Sequence, residues 1–192
     1  MKNNIAVLGP KDTFADLAAQ EFLKNHPQID ATISYYKPIR KVFEDLAAGN
    51  SQIAIVPMEN TLAGPVEATQ KGLSDFPVEK IDEITLSIQH SFFSMVEPSK
   101  IKKIFTHNMA EKQCSKFLSK FLSAVEIIHT DSNIDSFDKL NKLSSGSPAG
   151  AVVPSHIFEE NKNNYEYSVQ NITDSPNNST RFLVLRRLKL NE

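Results

Sequence analysis

The chain carries near its C-terminal end the stretch Asn177-Asn178-Ser179-Thr180-Arg181-Phe182-Leu183-Val184-Leu185. A polar, turn-prone run ends here at a hydroxyl, a guanidinium and a phenyl ring, and an apolar run follows at once. This pattern predicts a loop that enters a buried strand, with Thr180 and Arg181 at the mouth of the strand. Thr180 can both donate and accept a hydrogen bond, and the planar fork of Arg181 suits a carboxylate. An ordinary polar edge before a strand explains the same pattern equally well.

The first third of the chain alternates short apolar runs with amphipathic ones. Strands are predicted at residues 4–8, 32–36 and 53–56, and helices at residues 13–26 and 38–48. This order is typical of a parallel sheet in an α/β fold. Thr13 and Asp16 have the spacing of a capping box at the first helix. The glycine turn before that helix would make an anion cradle of free backbone N–H groups, although a plain strand–helix connection fits as well.

Three polar residues, Glu59, Asn60 and Thr61, directly follow the third predicted strand. Ligands in open α/β sheets bind outside the carboxyl ends of the strands, which is where this triplet is predicted to lie. The three side chains offer an acid for proton transfer, an amide and a hydroxyl. The alternative is a capped loop in which Asn60 and Thr61 satisfy nearby backbone groups.

The second α/β set is predicted from about residue 82 to residue 165. Strands are predicted at residues 81–96, 103–105, 124–129 and 150–153, with helices between them. His90 lies inside the first of these strands, where a histidine is more often a core residue than a ligand. Thr106 ends the next strand, and Gln113 follows in the second turn of a helix. Cys114 is predicted to be a small core residue and not a nucleophile.

The composition excludes several classes of protein. The chain has 192 residues, of which 40% are hydrophobic and 23% charged, which fits a globular protein of one large domain or two small lobes. A net charge of −2 gives no signal for nucleic acid or an anionic membrane, and a single cysteine excludes an internal disulfide. No signal pattern and no apolar run of about 20 residues is present. The predicted location is the cytoplasm.

These motifs together resemble the prephenate dehydratase family over almost the whole chain. The matching stretches are Gly9-Pro10-Lys11-Asp12-Thr13-Phe14, Val56-Pro57-Met58-Glu59-Asn60-Thr61, Ser87-Ile88-Gln89-His90, Thr106-His107 with Gln113-Cys114, and Ile172 and Asp174 followed by Asn178-Ser179-Thr180-Arg181-Phe182. The last stretch is specific when it is joined to Glu59-Asn60, whereas any single motif is a weak signal. Differences from the family pattern at Asp12, Asn108 and Ser179 concern substrate fit and rate rather than fold.

The resemblance implies an α/β fold with two lobes, like those of type 2 periplasmic binding proteins, and an active site in the cleft between the lobes. Residues 1–80 and 170–192 are predicted to form lobe 1, and residues 81–169 lobe 2. Thr180 would then lie at the hinge. The chain ends about where the family's regulatory ACT domain begins, so feedback control by phenylalanine through that domain is not expected. The resemblance leaves a homodimer open.

The family's chemistry is carried over to individual residues by the same resemblance. The predicted catalytic residues are Thr180, Glu59 and Asn60. Thr180 would act on the leaving hydroxyl of prephenate, and burial would raise the pKa of Glu59 so that it supplies the proton. The predicted substrate-binding residues are Thr13, Thr61, His90, Thr106, Gln113, Arg181 and Phe182. Arg181 has an alternative role, in which it holds its loop through an ion pair. No metal and no organic cofactor is predicted.

The predicted activity is the decarboxylating dehydration of prephenate to phenylpyruvate, a step of L-phenylalanine biosynthesis. The predicted partner is this small-molecule substrate, without nucleic acid or membrane. One alternative is a two-lobed binding protein that holds a small molecule without chemistry, which the differences at Asp12 and Asn108 favour. The other is a prephenate decarboxylase that retains the ring hydroxyl. Thr180 argues against the second alternative, because that reaction has no use for a group acting on the hydroxyl.

Overall fold

A computed structural model describes residues 3–121 and 125–188 of the chain. These residues form two compact units. Unit 1 contains the described residues up to Ser87 and again from Ser179, and unit 2 runs from Ile88 to Asn178. The chain therefore passes from one unit to the other twice. It leaves unit 1 after Ser87, the last residue of one strand, and returns at Ser179, the first residue of another.

Unit 1 is built on a six-stranded mixed sheet. Its strands are β1 (Asn3–Leu8), β2 (Ala31–Tyr36), β3 (Ile53–Asn60), β4 (Gly64–Pro65), β5 (Val78–Ser87) and β11 (Ser179–Arg187). The order is β2-β1-β3-β11-β5, with β4 paired to β3. The first three strands are mutually parallel, as the sequence predicts. The last strand is antiparallel to both of its neighbours, β3 and β5, so the sheet is not parallel throughout.

Three helices cover the sheet of unit 1: α1 (Phe14–Asn25), α2 (Ile39–Ala48) and α3 (Glu67–Asp75). Alternate side chains of each strand face opposite sides of the sheet, and each side packs its own helices. The core on the α1 side includes Val7, Ala18, Phe22, Ile55, Ile84 and Phe182. The core on the α2 side includes Ala6, Phe43, Leu46, Val56, Leu183 and Leu185. As predicted, α2 ends at Gly49, whose φ of 80° is left-handed.

Unit 2 is built on a five-stranded sheet of order β10-β6-β9-β7-β8. Its strands are β6 (His90–Ser94), β7 (Lys103–His107), β8 (Glu126–Thr130), β9 (Ala149–Pro154) and β10 (Tyr167–Val169). Its helices are α4 (Asn108–Gln113), α5 (Ser115–Leu118), α6 (Asn133–Asn141) and α7 (Phe158–Asn161), with short 3-10 turns at Pro98–Lys100, Ser155–Ile157 and Lys162–Asn164. The fully buried rings of Phe92 and Phe93 anchor the cores on the two sides of this sheet.

Strand boundaries are where the sequence predictions are wrong. The single strand predicted over residues 81–96 is two strands, β5 and β6, which belong to different units. Glu59 and Asn60 lie inside β3 and not in a loop after it, whereas Thr180 and Arg181 are the second and third residues of β11, at the start of the strand as predicted. Backbone pairing on both sides of β11 extends these strands into polar sequence. The predicted strand at residues 124–129 is β8, and residue 124 lies outside the described residues.

The predicted capping box at α1 is also wrong. The Thr13 hydroxyl donates to the carbonyl oxygen of Pro10 at 2.9 Å and does not cap the helix. Asp16 is fully buried and accepts hydrogen bonds from the backbone N–H of Asp12 at 2.9 Å and from the Tyr35 hydroxyl at 2.8 Å. Asp12 has a φ of 63°, in the left-handed region that favours glycine and that aspartate tolerates. Aspartate can therefore occupy a position whose backbone favours glycine.

A substitution at Gly150 tests how closely the core of unit 2 is packed. A Cβ atom added to Gly150 in β9 would lie 2.4 Å from Cζ of Phe92, a ring with no exposed surface. We expect Gly150→Ala to lower the free energy of unfolding by about 2 kcal/mol, because the buried ring has to leave its packed position. Urea denaturation measures the change, with Ser145→Ala in an exposed turn as the control. An unchanged denaturation midpoint in Gly150→Ala would contradict the close packing of Phe92 on Gly150.

Candidate active site

The hydroxyl of Thr180 is held by the side-chain amide of Asn60. These residues are paired across β11 and β3, and Asn60 Nδ2 donates to Thr180 Oγ1 at 2.9 Å. Both residues are nearly buried, with 8% and 9% of their surface exposed. Because the amide nitrogen is the donor, Thr180 accepts this bond and keeps its own hydrogen for another acceptor. The pair therefore presents an oriented hydroxyl donor on a rigid sheet.

Asn60 also fixes the turn that joins β3 to β4. Its Oδ1 accepts hydrogen bonds from the backbone N–H groups of Leu62 at 3.0 Å and Ala63 at 2.9 Å. Its Nδ2 makes a further bond to the carbonyl oxygen of Ser179 at 3.0 Å. The neighbouring Thr61 is exposed, and its hydroxyl accepts the backbone N–H of Ser179 at 3.0 Å. Turn and strand are thus tied together at Ser179, directly before Thr180.

Glu59 and Arg181 lie on the opposite face of the sheet from this pair. They are paired with each other in the register, one residue away from Asn60 and Thr180, and neighbouring side chains of a strand point to opposite faces. Arg181 Nη2 lies 3.1 Å from Glu59 Oε2, and the Glu59 side chain is 53% exposed. Arg181 Nη1 lies 3.6 Å from Glu83 Oε2. The expectation that Glu59 is buried is therefore wrong, and Arg181 has the ion-paired arrangement of its alternative role.

The N-terminus of α1 is on the same side and at the same end of the sheet as the Asn60–Thr180 pair. Thr180 pairs with Leu86 on β5, and Leu86 packs on the core that α1 covers. Since β1 and β3 are parallel, the carboxyl end of β1, from which the chain enters α1, lies at the same end of the sheet as Asn60. Backbone N–H groups at a helix N-terminus favour an anion. This end of unit 1 thus combines a hydroxyl donor with an anion-favouring helix start.

The remaining predicted residue of unit 1 lies in the core. The ring of Phe182 is 2% exposed and packs in the apolar core on the α1 side. A β-bulge between Arg181 and Phe182 shifts the register against β3. The position of Phe182 is that of a supporting residue beneath Thr180 and not of one that contacts a ligand.

In unit 2, His90 and Gln113 form a buried hydrogen-bonded pair. His90 Nε2 lies 2.8 Å from Gln113 Oε1, and the residues are 1% and 4% exposed. Burial lowers the pKa of His90 from 6.5 to about 4, with smaller effects of Gln113 in the opposite direction and of the charge on His107. The ring is therefore neutral at pH 7 and carries its hydrogen on Nε2, because a carbonyl oxygen only accepts. Thr106, fully buried at the end of β7, donates to the His107 carbonyl oxygen at 3.3 Å.

The depressed pKa of His90 predicts a pH dependence of stability. Between pH 6.5 and about 4 the unfolded chain binds a proton on His90 and the folded chain does not, so acidification favours unfolding. We expect this residue to remove on the order of 3 kcal/mol of stability over that range. In an NMR titration the His90 ring signals should stay constant down to pH 5. A His90 midpoint near 6.5 would contradict the burial.

The sequence does not predict the contacts of Asp174. Its carboxylate accepts from Ser115 Oγ at 2.7 Å and from the backbone N–H of Lys116 at 3.1 Å. Its own N–H donates to the carbonyl oxygen of Gln113 at 2.7 Å. The two partners of the carboxylate lie 59 and 58 positions earlier in the chain, so no local spacing signals them. The family motif includes Ile172 and Asp174 and so singles out this segment, but it does not reveal these partners.

The described part of the chain shows neither a cluster of metal-binding side chains nor a membrane-spanning helix. Within residues 3–121 and 125–188, no group of three or more His, Cys, Asp or Glu side chains is placed to hold a metal ion. No helix in the same residues is long and apolar enough to cross a membrane.

The sequence pattern of the prephenate dehydratase family matches residues 5–189, which include every candidate residue described above. The chain belongs to the prephenate dehydratase family. It is 29% identical, over 98% of its own length, to a bifunctional chorismate mutase/prephenate dehydratase of Aquifex aeolicus, and it spans 50% of that protein. It thus spans about half the length of this curated relative.

Solved structures agree with this family and with the fold. A prephenate dehydratase from Arthrobacter aurescens, solved in complex with L-Phe, is 25% identical, has a TM-score of 0.78, and is matched over 98% of this chain and 61% of its own. A periplasmic substrate-binding protein of an ABC transporter from Coxiella burnetii is 12% identical, with a TM-score of 0.52 and coverage of 96% and 84%. The second likeness shows the fold alone, and that fold is the two-unit α/β fold of type 2 periplasmic binding proteins, as predicted.

Proposed function

We propose that this chain catalyses the decarboxylating dehydration of prephenate to phenylpyruvate. In this reaction the ring carboxylate leaves as carbon dioxide, and its bonding electron pair enters the ring. The ring hydroxyl departs from the ring carbon opposite the one that carries the carboxylate, and it takes up one proton to leave as water. Aromatisation of the ring drives both losses. The proposal rests on one observation. The amide of Asn60 donates to the hydroxyl oxygen of Thr180, so the hydroxyl hydrogen of Thr180 is kept for another acceptor.

Thr180 is the proposed donor to the leaving hydroxyl. A threonine hydroxyl is too weak an acid to be ionised at neutral pH, so its value lies in a directed hydrogen bond that strengthens as charge develops on the departing oxygen. The bond from Asn60 stabilises negative charge on Thr180 Oγ1 and so makes the hydroxyl a better donor. The hydrogen of Thr180 moves to the departing oxygen in step with the delivery of a solvent proton to Oγ1, so no free alkoxide forms and the leaving water is complete.

The N-terminus of α1 is the proposed place for a substrate carboxylate. Prephenate is a dianion, and the helix start lies on the same side and at the same end of the sheet as Thr180, from the pairing of β1, β3 and β5. The Thr13 hydroxyl donates to Pro10, so the backbone N–H groups rather than this side chain would bind the anion.

The other predicted residues divide into binding and supporting roles. Gln113 is the proposed substrate-binding amide of unit 2, and the neutral ring of His90 would orient it through the bond to Oε1. We propose that Thr61 and Phe182 support the strand that carries Thr180. Substrate binding by Thr106, the cytoplasmic location, the role in L-phenylalanine biosynthesis and the homodimer stay predictions.

Incubation of the purified protein with prephenate tests the proposal. We expect phenylpyruvate, detected by its absorbance in strong base and by its mass, together with carbon dioxide. Thr180→Val measured in parallel serves as the background control. Binding of prephenate without turnover would favour a binding protein. A decarboxylated product that retains the ring hydroxyl would favour a decarboxylase. Either outcome would overturn the proposed dehydration.

The exposed position of Glu59 leads to a prediction that differs from the sequence-based one. We expect Glu59→Gln to keep turnover within about threefold of the wild type, because an exposed ion pair with Arg181 contributes little to the structure. The measurement is kcat with prephenate at saturation. Arg181→Gln is the matched variant, since it breaks the same ion pair from the other side. A loss of a hundredfold or more in the glutamate variant alone would return Glu59 to the mechanism.

A further inference from the structure

We propose that Asp174 is a positioning residue that holds Gln113 against His90. The inference rests on the proposed function, in which Gln113 binds the substrate, and it adds a residue outside the predicted site. Asp174 belongs to the segment Ile172–Asp174, which precedes the turn that leads into β11. We call this segment the bracket, because it bonds to the backbone of both members of the pair.

The bracket first fixes the start of β6. The backbone N–H of Ile172 donates to the carbonyl oxygen of His90 at 2.8 Å. In return, the backbone N–H of His90 donates to Thr173 Oγ1, also at 2.8 Å. His90 is the first residue of β6, where a free backbone end would let the ring turn. Two bonds to one residue hold its backbone from both sides and leave the ring aimed at Gln113.

The bracket then fixes the end of α4. The backbone N–H of Asp174 donates to the carbonyl oxygen of Gln113, the last residue of that helix, at 2.7 Å. Carbonyl groups at a helix C-terminus have no partner within the helix, so a bond from outside is needed to hold them. Gln113 is therefore held through its backbone by Asp174 and through its side chain by His90.

The carboxylate of Asp174 holds the start of α5, the helix that directly follows α4. The helix breaks at Cys114, where φ is −120° and ψ is 23°, and α5 starts directly afterwards without a cap from its own N-cap side chain. Asp174 supplies that cap through Ser115 Oγ at 2.7 Å and the backbone N–H of Lys116 at 3.1 Å. A carboxylate is a strong acceptor for such helix-start donors. The backbone of Asp174 thus holds the end of α4 at Gln113, and its carboxylate holds the start of α5.

The thiol at the break does not compete for this role. Cys114 is fully buried, and burial, followed by the charge of Asp174, raises the pKa of its thiol to about 12. A neutral thiol is a weak acceptor, so the cap has to come from elsewhere in the chain. Asp174 is the residue that provides it.

The test compares Asp174→Ala and Asp174→Asn with Asp138→Asn, which changes an exposed aspartate on α6 of the same unit. We expect Asp174→Ala to raise KM for prephenate about tenfold with little change in kcat, because the loosened amide binds substrate less well. Asp174→Asn should raise KM less than Asp174→Ala does, since the amide oxygen of asparagine still accepts from Lys116. The hydrogen on His90 Nε2 should give a resolved NMR signal in the wild type that shifts or broadens in Asp174→Ala. The Asp138 control should match the wild type in both measurements.

Two results would overturn the inference. One is an unchanged KM and an unchanged His90 signal in Asp174→Ala. The other is a loss of stability without either change, which would make Asp174 merely structural. If Asp174→Ala does not fold, Ser115→Ala removes one donor of the same cap and should give a smaller change in the same signal. A wild-type protein that forms no phenylpyruvate would refute the proposed function, while the His90 signal would still decide the role of Asp174.

Discussion

Thr180→Val should lower kcat for prephenate by about a thousandfold and leave the fold intact. Valine has nearly the shape of threonine, so the sheet position between Asn60 and Leu86 stays filled. The variant removes the hydroxyl that would donate to the leaving oxygen. It also removes one of the acceptors of the Asn60 amide nitrogen, which keeps its bond to the carbonyl oxygen of Ser179. KM should change little, because the hydrogen bond gains its strength only as charge develops in the transition state.

Two further variants separate this role from a general effect on the strand. Thr180→Ser restores the hydroxyl and should recover most of the lost turnover. Thr85→Val changes an exposed threonine on β5, opposite Arg181 and on the other face of the sheet, and should be neutral. Circular dichroism and the denaturation midpoint report whether each variant is folded. Near-wild-type phenylpyruvate formation by folded Thr180→Val would remove Thr180 from the mechanism.

The order of strands and helices could be predicted from the sequence because it depends on local signals. Short apolar runs identify β1 and β3, a short run rich in β-branched and aromatic residues identifies β2, and Gly49 identifies the end of α2. The antiparallel insertion of β11 could not be predicted in this way. It depends on which two strands accept the returning chain, and no periodicity within residues 179–187 carries that information.

The same limit explains the error at Glu59. Glu59 and Asn60 are neighbours in sequence, and both carry groups that suit acid–base chemistry. Their division between two faces follows from the pairing of Asn60 with Thr180, 120 positions away. A register shift of one residue would have exchanged the two side chains and placed the carboxylate beside Thr180. The sequence can therefore predict which motif holds the site but not which of its side chains faces the chemistry.

In unit 2, the pairing of His90 with Gln113 and the bracket around them depend on contacts of the same long-range kind. The sequence identifies both residues through the motifs in which they occur. It does not show that the ring is neutral, because the cause is burial by several strands and helices that meet only in the fold. Nor does it show that Asp174 caps a helix whose start lies 59 positions earlier.

Asn60→Asp should lower kcat about as much as Thr180→Val, by two to three orders of magnitude, on the order of 3–4 kcal/mol. The aspartate keeps an oxygen for the backbone N–H groups of Leu62 and Ala63, so the turn is preserved. It loses the amide hydrogen that Thr180 accepts. A carboxylate can only accept, so the Thr180 hydroxyl would turn to donate to residue 60 and would no longer donate to the substrate. Asn163→Asp, at an exposed position of unit 2, is the control for the added charge.

Combining the two substitutions tests whether Asn60 acts through Thr180. If the amide serves to direct the hydroxyl, Asn60→Asp should cost almost nothing further once Thr180 is already valine, because there is no hydroxyl left to misdirect. The coupling energy would then nearly equal the whole effect of either single variant. If Asn60 instead contacts the substrate on its own, the two losses should multiply and the double variant should fall to the uncatalysed rate. Additive losses in folded protein would therefore assign Asn60 a separate catalytic role and break the link between the amide and the hydroxyl on which the proposed mechanism depends.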